Sequence, residues 1–319
     1  MDTQTTQAAY YDQFGGIDQI KIGPIDLPEP GEGEVLLKVK AAGINPVDAV
    51  VREGKFNAVV PAQFPVVPDW DVAGVIEKSG PGASRFAEGA QVYGYIKRPV
   101  AQHGSFAERI VVPECYLAVK PAWLSWEAAG GLPLAGLTAY QSQMVAGKLQ
   151  GGETVLILGA SGGVGGTAIQ LAKEAGATVL AVASADSAAH MQQLGADHTI
   201  DYKAGPVAEQ VKKIAPDGVD LLLDAISGET LQQSLAAVKP NGRIISLLSD
   251  GKDLHLPAGV HFEHVMAHPS VRDLDHLRDL ADAGKLKVPV SATFPLAEVK
   301  KAFEAIESHH TTGKVVVVM

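Results

Sequence analysis

The stretch TVLILGASGGVGGTAIQLAKEAG, residues 154–176, joins an apolar strand to a glycine-rich turn and then to a helix. Three of its residues fit the small-residue positions of the G-x-G-x-x-G spacing, with alanine in place of the first glycine: Ala160, Gly162 and Gly165. In a strand–turn–helix unit this pattern lets the backbone approach a pyrophosphate and lets helix and strand pack closely, while the helix N-terminus faces the anion. We therefore expect a dinucleotide to be bound by Ala160, Ser161, Gly162, Gly163, Val164 and Gly165.

Strand-like and helix-like segments alternate in the chain after residue 155. Apolar runs such as VLAVA at 179–183 and LLLDAI at 221–226 are separated by segments with helical periodicity. Such alternation is typical of a parallel, doubly wound sheet. The sequence therefore predicts a Rossmann dinucleotide-binding domain, which we place at residues 130–264 within an α/β protein.

The first part of the chain, residues 1–129, has a different pattern. Short apolar runs such as EVLLKVKAAGI at 34–44 and DVAGVIEKSG at 71–80 are separated by Gly and Pro. This pattern predicts a β-rich domain of short strands and turns. The Pro- and Gly-rich stretch PIDLPEPGEG at 24–33 is expected to be a turn.

Composition restricts the class of protein. The chain has 319 residues, which suits two domains, and its formal charge of −10 argues against a surface for nucleic acid or anionic membrane. Its single cysteine, Cys115, excludes an internal disulfide and suits a reducing compartment. The N-terminus has no apolar leader and no run approaches the length of a membrane span, so we expect a cytoplasmic protein that acts on small molecules.

Several stretches, taken together and in order, resemble the medium-chain dehydrogenase/reductase superfamily, and within it the zinc-independent quinone oxidoreductases related to zeta-crystallin. They are AAGINPVDAVVREGKF at 41–56, FPVVPDWDVAGVIEKSG at 64–80, GSFAERIVVPE at 104–114, LPLAGLTAYQ at 132–141, VLILGASGGVGGTAIQLAK at 155–173, NGRIISL at 241–247 and GKVVVV at 313–318. The resemblance implies a GroES-like β-rich catalytic domain, formed by residues 1–129 and 265–319, beside the Rossmann domain. It also implies a homodimer.

The positions where zinc-dependent relatives carry metal ligands hold other residues here. They are Asn45, Trp70 followed by Asp71, and Leu134. Asn, Trp and Leu supply neither the thiolate nor the imidazole of a three-ligand zinc site, so we expect no bound metal. Without a Lewis acid, oxidation of simple alcohols is disfavoured. The resemblance therefore implies an NADPH-dependent reductase of quinones or α,β-unsaturated carbonyl compounds, which accept hydride directly.

Two site residues follow from the resemblance. Asn45 matches an amide beside the nicotinamide and the acceptor, and its side chain would donate to the developing oxyanion; the alternative is an Asx turn before Pro46. Thr138 matches a residue packed behind the nicotinamide; it is also expected near the N-terminus of a helix, and the two interpretations are compatible. For Asp48 and Arg52 we favour a structural ion pair at i, i+4.

The choice of cofactor depends on the end of the second strand of the Rossmann domain. An acid there selects NADH by binding the ribose 2′-OH, whereas this chain has Ser184, which favours NADPH. No Lys or Arg lies between 184 and 201, and Asp186 is acidic. Tyr202 matches a tyrosine that closes over the adenosine phosphate in the family, and Lys203 follows it.

Other interpretations stay open. Gly159-Ala160-Ser161-Gly162-Gly163 also fits the G-x-S-x-G of serine hydrolases, with Asp224 and His264 following in triad order. Tyr93 and Lys97 have the Tyr-x-x-x-Lys spacing of short-chain reductases, although the segment is expected to be a strand. His309-His310 is expected at a solvated helix end. A structural or sensing protein that binds NADPH with little turnover is the remaining alternative.

Overall fold

The computed structural model of the protein describes residues 4–308 and 310–319, which form two compact units. The β-rich unit runs up to Leu134 and includes His268–Gly284 and Val288–Met319. The parallel-sheet unit consists of Ala135–Ala267 and Lys285–Lys287. The sequence placed the junctions at 129/130 and 264/265, a few residues earlier than the structure does, and it assigned Lys285–Lys287 to the β-rich unit, whereas the structure assigns them to the parallel-sheet unit.

The strands of the described residues are β1 (Thr5–Tyr10), β2 (Lys21–Asp26), β3 (Glu34–Ile44), β4 (Ala62–Val67), β5 (Asp71–Ser79), β6 (Gln91–Tyr95), β7 (Ala101–His103), β8 (Arg109–Pro113), β9 (Leu117–Val119), β10 (Thr154–Leu158), β11 (Thr178–Ala183), β12 (His198–Asp201), β13 (Val219–Asp224), β14 (Val238–Ser246), β15 (His261–His264), β16 (Val290–Pro295) and β17 (Lys314–Val318).

The α-helices are α1 (Pro46–Arg52), α2 (Trp126–Gly131), α3 (Pro133–Tyr140), α4 (Gly163–Glu174), α5 (Ala188–Gln193), α6 (Val207–Ile214), α7 (Gly228–Ser234), α8 (Val271–Asp282) and α9 (Val299–Glu307). A π-helix, Gln141–Ala146, continues α3, and 3-10 turns lie at Ile17–Gln19, Glu114–Tyr116, Ala185–Ser187, Leu235–Ala237 and Leu296–Glu298.

The β-rich unit is built on a seven-stranded sheet in the order β16-β17-β3-β5-β6-β9, with β8 also paired to β3. Two smaller sheets, β1-β2 and β4-β7, complete its strands. The prediction of short strands is confirmed, and β3 has the predicted bounds. The stretch 24–33 is only partly a turn, since β2 extends through Asp26. Pro24 can lie within β2 because the β1-β2 sheet has just two strands, so one side of β2 forms no backbone hydrogen bonds to another strand.

The parallel-sheet unit has six strands in the order β12-β11-β10-β13-β14-β15, all parallel, which confirms the doubly wound prediction. The central strands are buried on both faces, and this explains their continuous Val, Leu and Ile runs. One core cluster lies on one side of this sheet and includes Leu156, Leu180, Leu222 and Val211.

No helix in residues 4–308 or 310–319 combines the length and apolar character that a membrane crossing requires. His309 lies outside the described residues; the helix before it, α9, ends at Glu307, and His310 is exposed.

Candidate functional site

The glycine turn of the parallel-sheet unit follows β10 directly. Gly159 has a φ of +76°, in the left-handed region that favours glycine. Ala160 then donates its N–H to Val182 O on β11 at 3.0 Å, and Gly162 is the N-cap of α4. The tight-turn glycine is therefore Gly159, one residue before the position that the G-x-G-x-x-G spacing assigned. The sequence signal for it was present, since Gly159 ends the apolar run.

Close packing of α4 on the turn requires Gly165. A Cβ at this position would lie 2.3 Å from Gly159 O and 2.5 Å from Ala160 Cα, a distance that only a backbone shift could relieve. At Gly162, by contrast, a Cβ would meet Gly159 O at 3.6 Å, an ordinary contact. The constraint at Gly165 is internal packing, while the protein itself leaves space beside Gly162.

The first turn of α4 is suited to an anion. Residues 161–164 are half-buried, and no acidic side chain lies in this turn. The first N–H groups of a helix have no intrahelical partner and stand at the positive end of its dipole. The residues present therefore fit a pyrophosphate group.

The turn lies at the point where the order of the sheet reverses. From β10 the chain moves outward to β11 and β12 and then returns to β13 on the other side of β10. In open α/β sheets ligands bind at the carboxyl ends of the strands at such a switch point. The loop after β13 is organised by buried Asp224, which accepts from the N–H groups of Ile226 (3.1 Å) and Ser227 (2.8 Å) and from Ser246 Oγ (2.7 Å).

The predicted cofactor residues of the next two strands are brought together. Ser184 directly follows β11, and Tyr202 follows β12, whose Asp201 pairs with Ala183 of β11. Tyr202 is 41% exposed and donates its N–H to Ala183 O. Lys203 Nζ lies 5.7 Å from the centre of the Tyr202 ring. An ammonium, an aromatic face and a serine therefore lie near the carboxyl ends of adjacent strands.

Thr138 lies in α3, near its C-terminal end, and is buried. The expected position near the N-terminus of a helix is wrong, because α3 begins at Pro133. Proline is suited to the first position of a helix, and this sets the start of α3 before the residue expected from the sequence.

In the β-rich unit, Asn45 is the N-cap of α1, and its backbone N–H donates to Asp48 Oδ2 at 2.7 Å. Asn45 is buried, with 5% of its surface exposed. Nδ2 donates to Gly43 O at 2.6 Å and to Asp71 Oδ2 at 2.9 Å, while Oδ1 accepts from Lys314 Nζ at 2.6 Å. Both amide hydrogens are engaged within the unit, so donation to an acceptor would require one of these bonds to open.

Lys314 and Asp71 complete this network. Lys314 Nζ also donates to Ile44 O at 3.1 Å and lies 3.7 Å from Asp71 Oδ2. Asp71 Oδ1 accepts the Leu134 N–H at 2.7 Å. Hydrogen bonds around a lysine thus join Asn45, Asp71 and Leu134. These residues lie at or next to the positions where zinc-dependent relatives carry metal ligands. The sequence analysis did not identify Lys314 as a site residue, although a lysine directly before the four valines 315–318 was a signal of a buried charge.

The network contains three buried carboxyl groups. Burial is the main cause that raises the pKa of Asp48 to about 7 and of Asp71 to about 6, the latter opposed chiefly by Lys314. Burial and the charges of Asp48 and Asp71 hold the pKa of Asp69 well above its usual range. Asp69 has a φ of +74° and accepts from Ser105 Oγ at 2.8 Å. Asp48 and Asp71 therefore change protonation in the neutral range.

The predicted Asp48–Arg52 pair is wrong. Buried Arg52 donates from Nη1 to Glu307 of α9 at 2.9 Å and from Nε to Gly15 O at 3.1 Å. Its guanidinium also lies over the Phe303 ring. Asp48 instead faces the start of its own helix, where it accepts the Asn45 N–H. A long-range acid on α9 meets Arg52, and local spacing could not reveal it.

The structure does not bring together the residues of the serine-hydrolase motif or of the Tyr-x-x-x-Lys motif. Asp224 bonds to Ser246, while His264 Nε2 lies 3.3 Å from Leu247 O, so the described residues show no Asp224–His264 hydrogen bond. Tyr93 lies on β6, which confirms the predicted strand, and its hydroxyl donates to Leu274 O at 2.6 Å. Among the residues that the structure describes, neither a hydrolase triad nor a short-chain reductase pair is formed.

Comparisons with known proteins cover both units. Residues 31–122 match the family model of the alcohol dehydrogenase GroES-like domain, and residues 194–317 match that of the zinc-binding dehydrogenase. A chloroplastic NADPH-dependent alkenal/one oxidoreductase of Arabidopsis thaliana is 37% identical, over 98% of this chain and 79% of that protein. A 2-methylene-furan-3-one reductase of Solanum lycopersicum is 35% identical, over 96% and 77%. The structure of the quinone oxidoreductase from Coxiella burnetii has a TM-score of 0.87 at 28% identity and covers 99% of this chain and 100% of that one.

Proposed function

Because the chain belongs to the medium-chain dehydrogenase/reductase superfamily, among its quinone and alkenal oxidoreductases, we propose that it reduces a quinone or an α,β-unsaturated carbonyl compound with NADPH and without a metal ion. The observation that carries this proposal is the glycine turn at the sheet's switch point. Gly159 sets the turn, Gly165 allows α4 to pack, and the half-buried first turn of α4 offers N–H groups to a pyrophosphate.

NADPH is the proposed cofactor because of the residues after β11 and β12. Ser184 stands where an acid would select NADH, and the Lys203 ammonium beside Tyr202 provides a positive charge for a 2′-phosphate. When bound, NADPH supplies a hydride. Ser161, Gly162, Gly163 and Val164 would hold its pyrophosphate, and Tyr202 would cover the adenosine end. Thr138 is proposed to pack against the nicotinamide.

Metal-free reduction is supported by the chemistry of the network around Asn45. The carbonyl oxygen of Asn45 faces a lysine ammonium 2.6 Å away, and a cation placed on that oxygen would be repelled by it. Trp70 and Leu134 carry no group that ligates zinc. A zinc ion therefore does not fit these residues. Reduction of an electron-poor acceptor needs no Lewis acid, since hydride adds to it directly.

We also propose that the protein is a homodimer. β15 is the last strand of the parallel sheet, and His261, Glu263 and His264 are exposed along it. An edge strand presents unpaired backbone groups that a second copy can pair. Size-exclusion chromatography with light scattering tests this, and a monomeric mass at micromolar concentration would contradict it.

The function is tested by following NADPH absorbance in the presence of a panel of quinones, alkenals and enones. We expect consumption of NADPH that depends on the acceptor and forms the saturated carbonyl or quinol product. Tight NADPH binding without turnover on the whole panel would favour the sensing alternative. A lack of NADPH binding would refute the assignment of the glycine turn as a cofactor site.

A further inference from the structure

Most polar groups around the buried carboxyl cluster of the β-rich unit are engaged by the protein. Asn45 uses both amide hydrogens, and Lys314 donates to Ile44 O and Asn45 Oδ1. Asp71 accepts from Asn45 and Leu134. These groups have little capacity left for a ligand. The tyrosine opposite Asp71 is different.

Tyr95 is the last residue of β6 and pairs directly with Asp71 of β5. Directly paired residues of antiparallel strands project from the same face of a sheet, so the Tyr95 side chain lies on the side of the carboxyl cluster. Its ring packs edge-on against Trp70, with centroids 6.3 Å apart at 71°. This packing holds the Tyr95 ring in place.

The Tyr95 hydroxyl has no hydrogen-bond partner in the described part of the chain. Tyr95 is 3% exposed, and its Oη, unlike the Oη of Tyr11, is not completely shielded from solvent. The remaining access of solvent to Tyr95 therefore includes its hydroxyl oxygen. Tyr93, two residues earlier, contrasts with it: that side chain is fully buried and its hydroxyl donates to Leu274 O.

The surroundings of Tyr95 keep its hydroxyl protonated. Burial first, and then the charges of Asp71, Asp48 and Asp69, hold the pKa of Tyr95 well above its ordinary value. A neutral phenol is a hydrogen-bond donor, whereas a phenolate is not. Tyr95 therefore presents one preorganised, solvent-accessible donor on a rigid strand, in surroundings from which most water is excluded.

We propose that the Tyr95 hydroxyl donates a hydrogen bond to the carbonyl oxygen of the quinone or enone acceptor; this inference rests on the proposed function. As hydride from NADPH adds to the acceptor, the electron pair of the attacked double bond moves toward the carbonyl oxygen, and an enolate or quinol anion forms. The hydrogen bond strengthens as that oxygen gains charge, so it stabilises the transition state more than the ground state. The proton that completes the reduction comes from water.

The test is Tyr95→Phe, which deletes the hydroxyl and keeps the ring against Trp70. We expect kcat with an enone to fall about 100-fold, in the range found when one oxyanion donor is removed. The Kd for NADPH and the melting temperature should stay close to wild type. Binding of 4-nitrophenolate, a ring oxyanion that mimics the charged product, should weaken about tenfold, the size expected for one lost hydrogen bond.

Tyr93→Phe is the matched control, because it removes a hydroxyl from the same strand that serves packing. It should lower the melting temperature and leave kcat near wild type. If Tyr95→Phe keeps wild-type kcat and 4-nitrophenolate affinity, the inference is wrong while the proposed function stands. If the wild type reduces no acceptor of the panel, the proposed function fails, and the role of Tyr95 is refuted with it.

Discussion

The ammonium of Lys314 donates a 2.6 Å hydrogen bond to Oδ1 of Asn45. These residues belong to β17 and to the N-cap of α1, at opposite ends of the sequence. The pairing fixes which end of the Asn45 amide is oxygen, since an ammonium only donates. It also brings a positive charge to 3.7 Å from Asp71, which holds the pKa of that carboxyl lower than burial alone would.

Lys314→Met should destabilise the β-rich unit strongly. The substitution leaves Asp71 buried without its cation and Asn45 Oδ1 without its donor, and loss of one partner of a buried ion pair costs about 3 kcal/mol or more. Chemical denaturation followed by tryptophan fluorescence measures the change. Lys301→Met is the control, because Lys301 is 59% exposed in a surface pair with Glu298 and should contribute under about 1 kcal/mol. Equal effects of the two substitutions would contradict the network.

The glycine turn distinguishes a dinucleotide site from a serine nucleophile. Gly163→Val places a branched side chain at the first residue of α4, where the pyrophosphate is proposed to lie, and should abolish NADPH binding in a folded protein. Ser161→Ala should weaken binding less than about tenfold, because it removes at most one neutral hydrogen bond. Titration by nicotinamide fluorescence measures both. Intact binding in the first variant with complete loss of catalysis in the second would reverse the assignment.

Cofactor preference should depend on Lys203. We expect the wild type to bind NADPH more tightly than NADH, and Lys203→Ala to weaken NADPH about tenfold, because a charged hydrogen bond to the 2′-phosphate is lost. Binding of NADH should be unchanged. Lys213→Ala, at an exposed position of α6, is the control. Similar wild-type affinities for the two cofactors would show that Ser184 does not select between them.

Stability should fall as pH rises through the neutral range, and Asp48 should account for part of the fall. The pKa of the Asp48 carboxyl is about 7 in the folded protein, whereas its ordinary value is 3.8. Between pH 3.8 and pH 7, Asp48 is therefore protonated in the native state and ionised in the unfolded state. More protons bound in the native state mean that the free energy of unfolding decreases with rising pH. Asp48→Asn should reduce the loss between pH 5 and pH 8 by about 1.4 kcal/mol or more, the equivalent of one pKa unit.

Denaturation curves across this pH range provide the measurement. Asp18→Asn, at an exposed position, is the control and should follow the wild type. If the Asp48 variant shows the full pH dependence of the wild type, the carboxyl ionises at its ordinary value and the burial argument fails.

Purified active protein should contain no stoichiometric zinc, because Asn45, Trp70 and Leu134 provide no zinc ligands and Lys314 occupies the Asn45 oxygen. Elemental analysis measures the metal content, and chelator treatment should leave activity unchanged. One zinc per chain, lost together with activity on chelation, would overturn the metal-free proposal.

The sequence by itself predicted the two-domain α/β architecture. Its hydrophobic periodicity switches near residue 155, and the apolar runs of β10, β11 and β13 mark a parallel sheet because both of their faces are buried. The glycine turn was also predicted. Only glycine fits at position 165, because a Cβ there would lie within 3 Å of the backbone of Gly159 and Ala160. These features depend on neighbours close along the chain, and local patterns report them well.

What the tertiary structure decided depends on partners distant in sequence. Arg52 pairs with Glu307 and not with Asp48, Asn45 receives Lys314, and Tyr95 lies opposite Asp71. Spacing along the chain carries no information about such partners, because strand order and register bring them together. The surroundings in the folded chain also decide what a tyrosine hydroxyl does. The Tyr93 hydroxyl donates to a backbone carbonyl, whereas the Tyr95 hydroxyl stays available to a ligand.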